Sequence, residues 1–182
     1  VTVFAAGSKV AEAAPAGDSV GKYEFFSITE DSAQDLAESA PDVFNLIRAI
    51  NAGEEELQAV AEQAPDLADI LADKEMLTPI FDVEAINGGV KNEDGQYVIT
   101  LSVPTLTEGM TDVYLLQYSI EKGCWIVITP TDIDYANKQI TVVLDELSPV
   151  AVIAKVNDSA AADNKEGTSP KTGAVSDWTG WM

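Results

Sequence analysis

The sequence predicts an α+β fold, with an N-terminal helical segment of two helical hairpins followed by a C-terminal antiparallel β-sandwich of the Ig-like kind. Two observations carry that expectation. Between residues 31 and 76 the apolar residues step by three and four, as on one face of a helix. From residue 80 onward the period drops to two, in short runs separated by turn residues, as in a half-buried sheet.

Residues 9–22 are rich in Ala, Gly and Pro and read, with what precedes them, as a flexible leader over 1–22. The helical segment is set at 23–78. Ser32 with Asp35 three residues on is a capping-box-like start. Leu36, Ala40, Val43, Ile47 and Ile50 then share one helix face, and Gly53 ends the segment because glycine adopts the left-handed cap conformation readily. Glu54, Glu55 and Glu56 favour a new helix N-terminus through the macrodipole, and Leu57, Val60, Ala64, Leu67 and Leu71 repeat the stepping. Residues 36–43 (LAESAPDV) align with residues 60–67 (VAEQAPDL) at an offset of 24 residues. In each copy the proline either kinks one helix or sits at the first position of a new one, where its missing N–H costs nothing, and the second reading is preferred. Four short helices in two hairpins follow from this.

The sandwich is set at 79–156. Tyr97, Ile99, Leu101 and Val103 alternate with Gln96, Val98, Thr100 and Ser102. Residues 113–119 form a second strand, which turns at Glu121-Lys122-Gly123 into a third over 124–129. Extended pieces at 80–86, around Ile133 and Tyr135, at 139–144 and at 150–156 complete about seven strands. Trp125 is expected at the centre of the sandwich on a strand covered on both faces. The competing reading makes it an exposed ring that stacks on a sugar. Residues 157–168 are a polar linker, which spans at most about 40 Å when extended.

Ten basic against thirty-one acidic residues give a net charge of −21 in 182 residues, which repels nucleic acid and anionic membrane surfaces. There is no histidine, so Ser–His and Cys–His catalysis and His metal sites are excluded. Cys124 is the only cysteine, so no intramolecular disulfide forms. It is expected to be buried as a small hydrophobe. Paired carboxylates occur at Asp132 and Asp134 and at Glu93 and Asp94, but neither stretch has the spacing of a calcium loop. Asp132 and Asp134 are the weak metal candidates, with Glu93 and Asp94 as a second pair. No metal or cofactor is expected.

The tail carries the functional signal. Ser169-Pro170-Lys171-Thr172-Gly173 reads x-P-x-T-G, and Trp178 and Trp181 follow it. Paired Trp residues favour a membrane interface. The five residues resemble the LPxTG sorting motif of Gram-positive (Firmicutes) surface proteins, with Ser in place of the Leu. Residues 169–182 are thus set as sorting motif and start of a membrane anchor, with an apolar span and basic tail expected beyond Met182. The resemblance implies that sortase cleaves between Thr172 and Gly173 and joins Thr172 to peptidoglycan. It also implies an extracellular, cell-wall-anchored protein with a membrane-tethered precursor. Val1–Ser8 look like the end of a signal-peptide apolar region, with Val3 and Ala5, or Ala6 and Gly7, fitting the small-residue cleavage positions.

Residues 79–156 also look like small sandwich modules of such surface proteins. The resembling stretches are VYLLQY at 113–118, GCW at 123–125 and LSPVAV at 147–152. That likeness implies a structural or adhesive module without catalytic residues. The sequence therefore reads as a non-enzymatic surface protein, with sortase and peptidoglycan as partners besides an unidentified extracellular glycan or protein ligand. The alternative is a carboxylate-dependent wall- or glycan-processing hydrolase, or a carbohydrate-binding module.

Overall fold

A computed structural model describes residues 12–156 of the protein. Among the described residues the chain is mostly β: ten strands form two sheets, and the helices are few and short. The order is β1 (Ala14–Pro15), β2 (Tyr23–Ser27), α1 (Gln34–Ser39), α2 (Pro41–Asn51), α3 (Ala68–Leu71), β3 (Glu75–Met76), β4 (Phe81–Ala85), β5 (Tyr97–Ser102), β6 (Met110–Ser119), β7 (Cys124–Ile128), β8 (Asp132–Asp134), β9 (Gln139–Leu144) and β10 (Val150–Val156). Two 3₁₀ turns, Leu57–Glu62 and Pro65–Leu67, lie between α2 and α3.

The smaller sheet runs β1-β5-β9-β8, and the larger runs β2-β4-β10-β6-β7 with β3 beside β10. Their facing sides share one core: Ile99 and Leu101 of β5 and Ile140, Val142 and Leu144 of β9 meet Val113 and Leu115 of β6 and Val150, Val152 and Ala154 of β10. The opposite side of the larger sheet has a second core. There Leu116, Tyr118, Trp125, Ala151 and Ile153 pack with Leu36, Phe44, Ile47, Ile50, Val60 and Leu71 of the helical stretch. Successive strand residues point to opposite faces. The apolar run in β10 therefore serves both cores, and its residues 150–154 are at most 2% exposed.

The expected helical segment followed by a sandwich is not formed. Among the described residues there is no N-terminal helical hairpin. β1 and β2 come first and belong to the two sheets, and the helical stretch is a connection that covers the outer face of the larger sheet. Residues 12–22 are not a free leader either: Ala14 and Pro15 pair with Ser102 and Leu101, and buried Ser19 accepts a hydrogen bond from the Thr100 N–H at 2.9 Å. The 24-residue repeat has a conformational basis. Ala40 (φ −142°, ψ 67°) and Ala64 (φ −141°, ψ 74°) share one non-helical geometry, as a residue before proline avoids the helical region. Their N–H groups cap Leu36 and Val60 carbonyls at 2.8 and 3.0 Å. Each proline thus starts a new turn, but only α2, at 11 residues, extends far enough to be a substantial helix. The second copy collapses into 3₁₀ turns and four residues of α3.

Side-chain amides and hydroxyls seal the joins. The Asn51 amide donates to the Ile80 carbonyl and accepts from its N–H, both at 2.9 Å, which ties the end of α2 to the start of β4. The Tyr23 hydroxyl donates to the Val90 carbonyl at 2.7 Å and accepts from its N–H at 3.0 Å, holding the loop after β4. In that loop Asn87 (φ 54°) and Gly88 (φ 84°) occupy a tight turn closed by Gly89 N–H to Ile86 O, for which Asn-Gly is the favoured pair.

Candidate functional site

The five residues Ser169, Pro170, Lys171, Thr172 and Gly173 lie outside the described residues, as do Val1–Ser8, the 157–168 linker and the two terminal Trp residues. The structure shows what the tail hangs from: β10, whose last residue, Val156, pairs with Met110. Thr172 is 16 residues beyond Val156, a reach of at most about 55 Å fully extended. At the exit of β10, Lys155 Nζ stands 3.8 Å from Asp73, which also binds Lys74 Nζ at 2.6 Å. The Lys74 hydrogen bond, then the two positive charges, hold the exposed Asp73 carboxyl below its ordinary pKa. Lys74 itself is buried over the Tyr114 ring and donates to the Ile70 carbonyl at 2.9 Å, so its charge is met from several sides.

Asp132 and Asp134 sit two apart on β8, hence on one face. Asp134 is engaged locally: it accepts from the Asn137 side-chain amide at 2.8 Å and from its N–H at 3.1 Å, and these bonds lower its pKa. Asp132 is exposed opposite Thr141. Glu93 and Asp94 belong to a turn organised by Asn92, whose Oδ1 accepts from the Asp94 and Gln96 N–H groups at 3.0 and 2.9 Å. Among the described residues no three His, Cys, Asp or Glu side chains converge as a metal site.

Two polar groupings were not anticipated. On the outer face of β2 and β4, Glu24 lies directly opposite Glu84, and Phe26 opposite Asp82. Asp82 is half-buried, and desolvation first, then the nearby Glu84 charge, raises its pKa against the lowering effect of the Val83 N–H. The Asp–x–Glu alternation in 82–84 is visible in the sequence; its pairing with Glu24 is not, because β2 is 58 residues earlier. The second grouping closes the β6–β7 hairpin. Glu146 accepts from the Ser119 hydroxyl and from the Ile120 and Glu121 N–H groups, while buried Gln117 donates to the Glu146 carbonyl at 3.1 Å and to Ser148 Oγ at 2.8 Å. These bonds join the hairpin turn, β6 and the 146–148 segment, which makes the grouping a structural lock.

Trp125 and Cys124 depart from expectation. Trp125 is 3% exposed, but it packs beneath the helical stretch and not between the sheets, and β7 is an edge strand. Its ring is edge-on to Tyr118 and its Nε1–H donates to Gln63 Oε1 at 2.9 Å. A ring so enclosed has no free face for a sugar. Cys124 is exposed, not buried, because it is the first residue of that edge strand, beside the turn that joins it to β6. Among the described residues no helix is long and apolar enough to cross a membrane.

No family model matches the chain, and no match is found among curated proteins or solved structures.

Proposed function

We propose that this is a non-enzymatic protein of the Gram-positive cell surface, joined to peptidoglycan by sortase through Thr172 and serving a structural, adhesive or ligand-binding role outside the cell. The single observation that carries the reading is Ser169-Pro170-Lys171-Thr172-Gly173, placed after a polar linker and before two Trp residues. The strand leading into that tail is anchored by residues 150–154, each at most 2% exposed, which suits a tether. The net charge of −21 suits a surface exposed to water. The test is to release the protein from purified walls with a muralytic enzyme and sequence its C-terminal peptide by mass spectrometry. A peptide ending at Thr172 and carrying wall material is expected, and Thr172→Ala should shift the protein out of the wall fraction. A wall-fraction peptide that continues through Gly173 unbroken would overturn the reading.

The hydrolase alternative has one specific observation in its favour: Asp82, with its raised pKa, shares a sheet face with Glu84 and Glu24. Two carboxyl groups that share a site, one of them with a raised pKa, are what glycoside hydrolysis uses. Incubation with purified peptidoglycan and with Asp82→Asn as control decides it: release of reducing ends by the wild type alone would favour this alternative.

A further inference from the structure

Registers and side-chain bonds define two ends of the fold. At one end Val156 pairs with Met110, the Tyr135 hydroxyl donates to the Met110 carbonyl at 3.0 Å, and Ala14 pairs with Ser102 beside Gln139. The tail therefore leaves from the end that holds loop 103–109. At the far end Glu146 binds the 120–121 backbone of the β6–β7 hairpin, and Asp145 accepts from Gln96 at 2.7 Å. β10 runs from the far end to the tail end. Along one flank it keeps six register pairs with β6, from Val150–Gln117 to Val156–Met110, shifted once between Ile153 and Lys155. Along the other flank it pairs with Phe81 of β4 and with Met76 and Glu75 of β3. The gap between β3 and β4 is filled: Leu77 N–H donates to the Val152 carbonyl at 2.8 Å, and Val152 N–H donates to Thr78 Oγ1 at 3.0 Å.

We propose that β10 is a mechanical clamp that resists tension between the tail and the far end of the molecule. Bonds in an antiparallel ladder lie perpendicular to the strands. A pull on the tail against the β6–β7 hairpin draws β10 and β6 past each other along their axes, so their bonds bear the force together. Sliding also has to drag residues 150–154 out of two cores at once. A pull on the tail against loop 103–109 acts across the ladder and opens it pair by pair from Val156. The biological relevance of the first geometry rests on the tether proposed above; the mechanics do not.

The experiment is single-molecule force spectroscopy on the full chain with Cys124→Ser, one handle on the C-terminal tail and the other on a cysteine introduced by Lys122→Cys or Glu108→Cys. Both positions are exposed, in the hairpin and in loop 103–109 respectively. At one loading rate the Lys122→Cys geometry should yield at a several-fold higher force, and adding Thr78→Val should lower that force while leaving the Glu108→Cys geometry unchanged. Equal forces in the two geometries would overturn the proposal, as would a Thr78→Val effect of the same size in both. Wall attachment plays no part in this measurement, so its outcome and that of the Thr172→Ala fractionation are read separately.

Discussion

The indole N–H of Trp125 donates to the side-chain oxygen of Gln63 at 2.9 Å, joining an edge strand of the larger sheet to the 3₁₀ turns that lie over it. Loss of the ring should therefore loosen the helical stretch as well as the sheet. Trp125→Ala removes a large buried side chain and leaves a cavity, at a cost of about 3–5 kcal/mol. Gln63→Ala keeps the ring but strands its N–H, at a cost of about 1–3 kcal/mol. Urea denaturation followed by circular dichroism should rank them in that order. A Trp125→Ala protein as stable as wild type would contradict the packing described.

Asn51 acts as a backbone surrogate for Ile80, supplying both a donor and an acceptor. Asn51→Ala leaves two partly buried main-chain groups unpaired, and a loss of about 2–4 kcal/mol is expected. Asn51→Asp should also destabilise the fold at neutral pH, because its carboxylate would face the Ile80 carbonyl without a proton to share. Thermal melts of the two variants against wild type test both statements.

Tyr23→Phe removes the hydroxyl that serves both Val90 main-chain groups. Hydrogen exchange at the Val90 amide should accelerate by at least ten-fold, about 1.4 kcal/mol of local protection, while amides of β6 and β10 stay protected. Burial raises the pKa of the Tyr23 hydroxyl, so it remains a donor at neutral pH.

Asp82 gives a pH dependence whose sign follows from its raised pKa. Between the unfolded-state value and the raised native one, the native protein holds a proton that the unfolded chain has released. Asp82 therefore makes stability fall as pH rises through that window, and its penalty is complete above it. Asp82→Asn should be more stable than wild type at neutral pH, with the advantage shrinking as the pH drops towards the ordinary carboxylate range. Denaturant midpoints at a series of pH values measure this, and an unchanged difference across the series would show that Asp82 is not the group responsible.

Where the chain runs extended from residue 80 onward can be read from its residues alone. Alternation such as Tyr97, Ile99 and Leu101 against Val98 and Thr100 is a local signal, and β4 to β10 form at those places. The sequence also shows the apolar stepping and the two Ala-Pro breaks of the 34–71 stretch. What those pieces do together depends on long-range packing. Tyr23–Ser27 shows no clean alternation, because Phe25 packs towards the inter-sheet core while its neighbour Phe26 stays exposed, and β2 is fixed by its ladder with β4. The same long-range pairing brings Glu24 to Glu84, and packing beneath Gln63 sets which core receives Trp125. Periodicity reports which side of an element is buried, but burial against a particular partner depends on contacts between residues far apart in the chain. For that reason the helical stretch became a cover on the larger sheet and not a segment of its own.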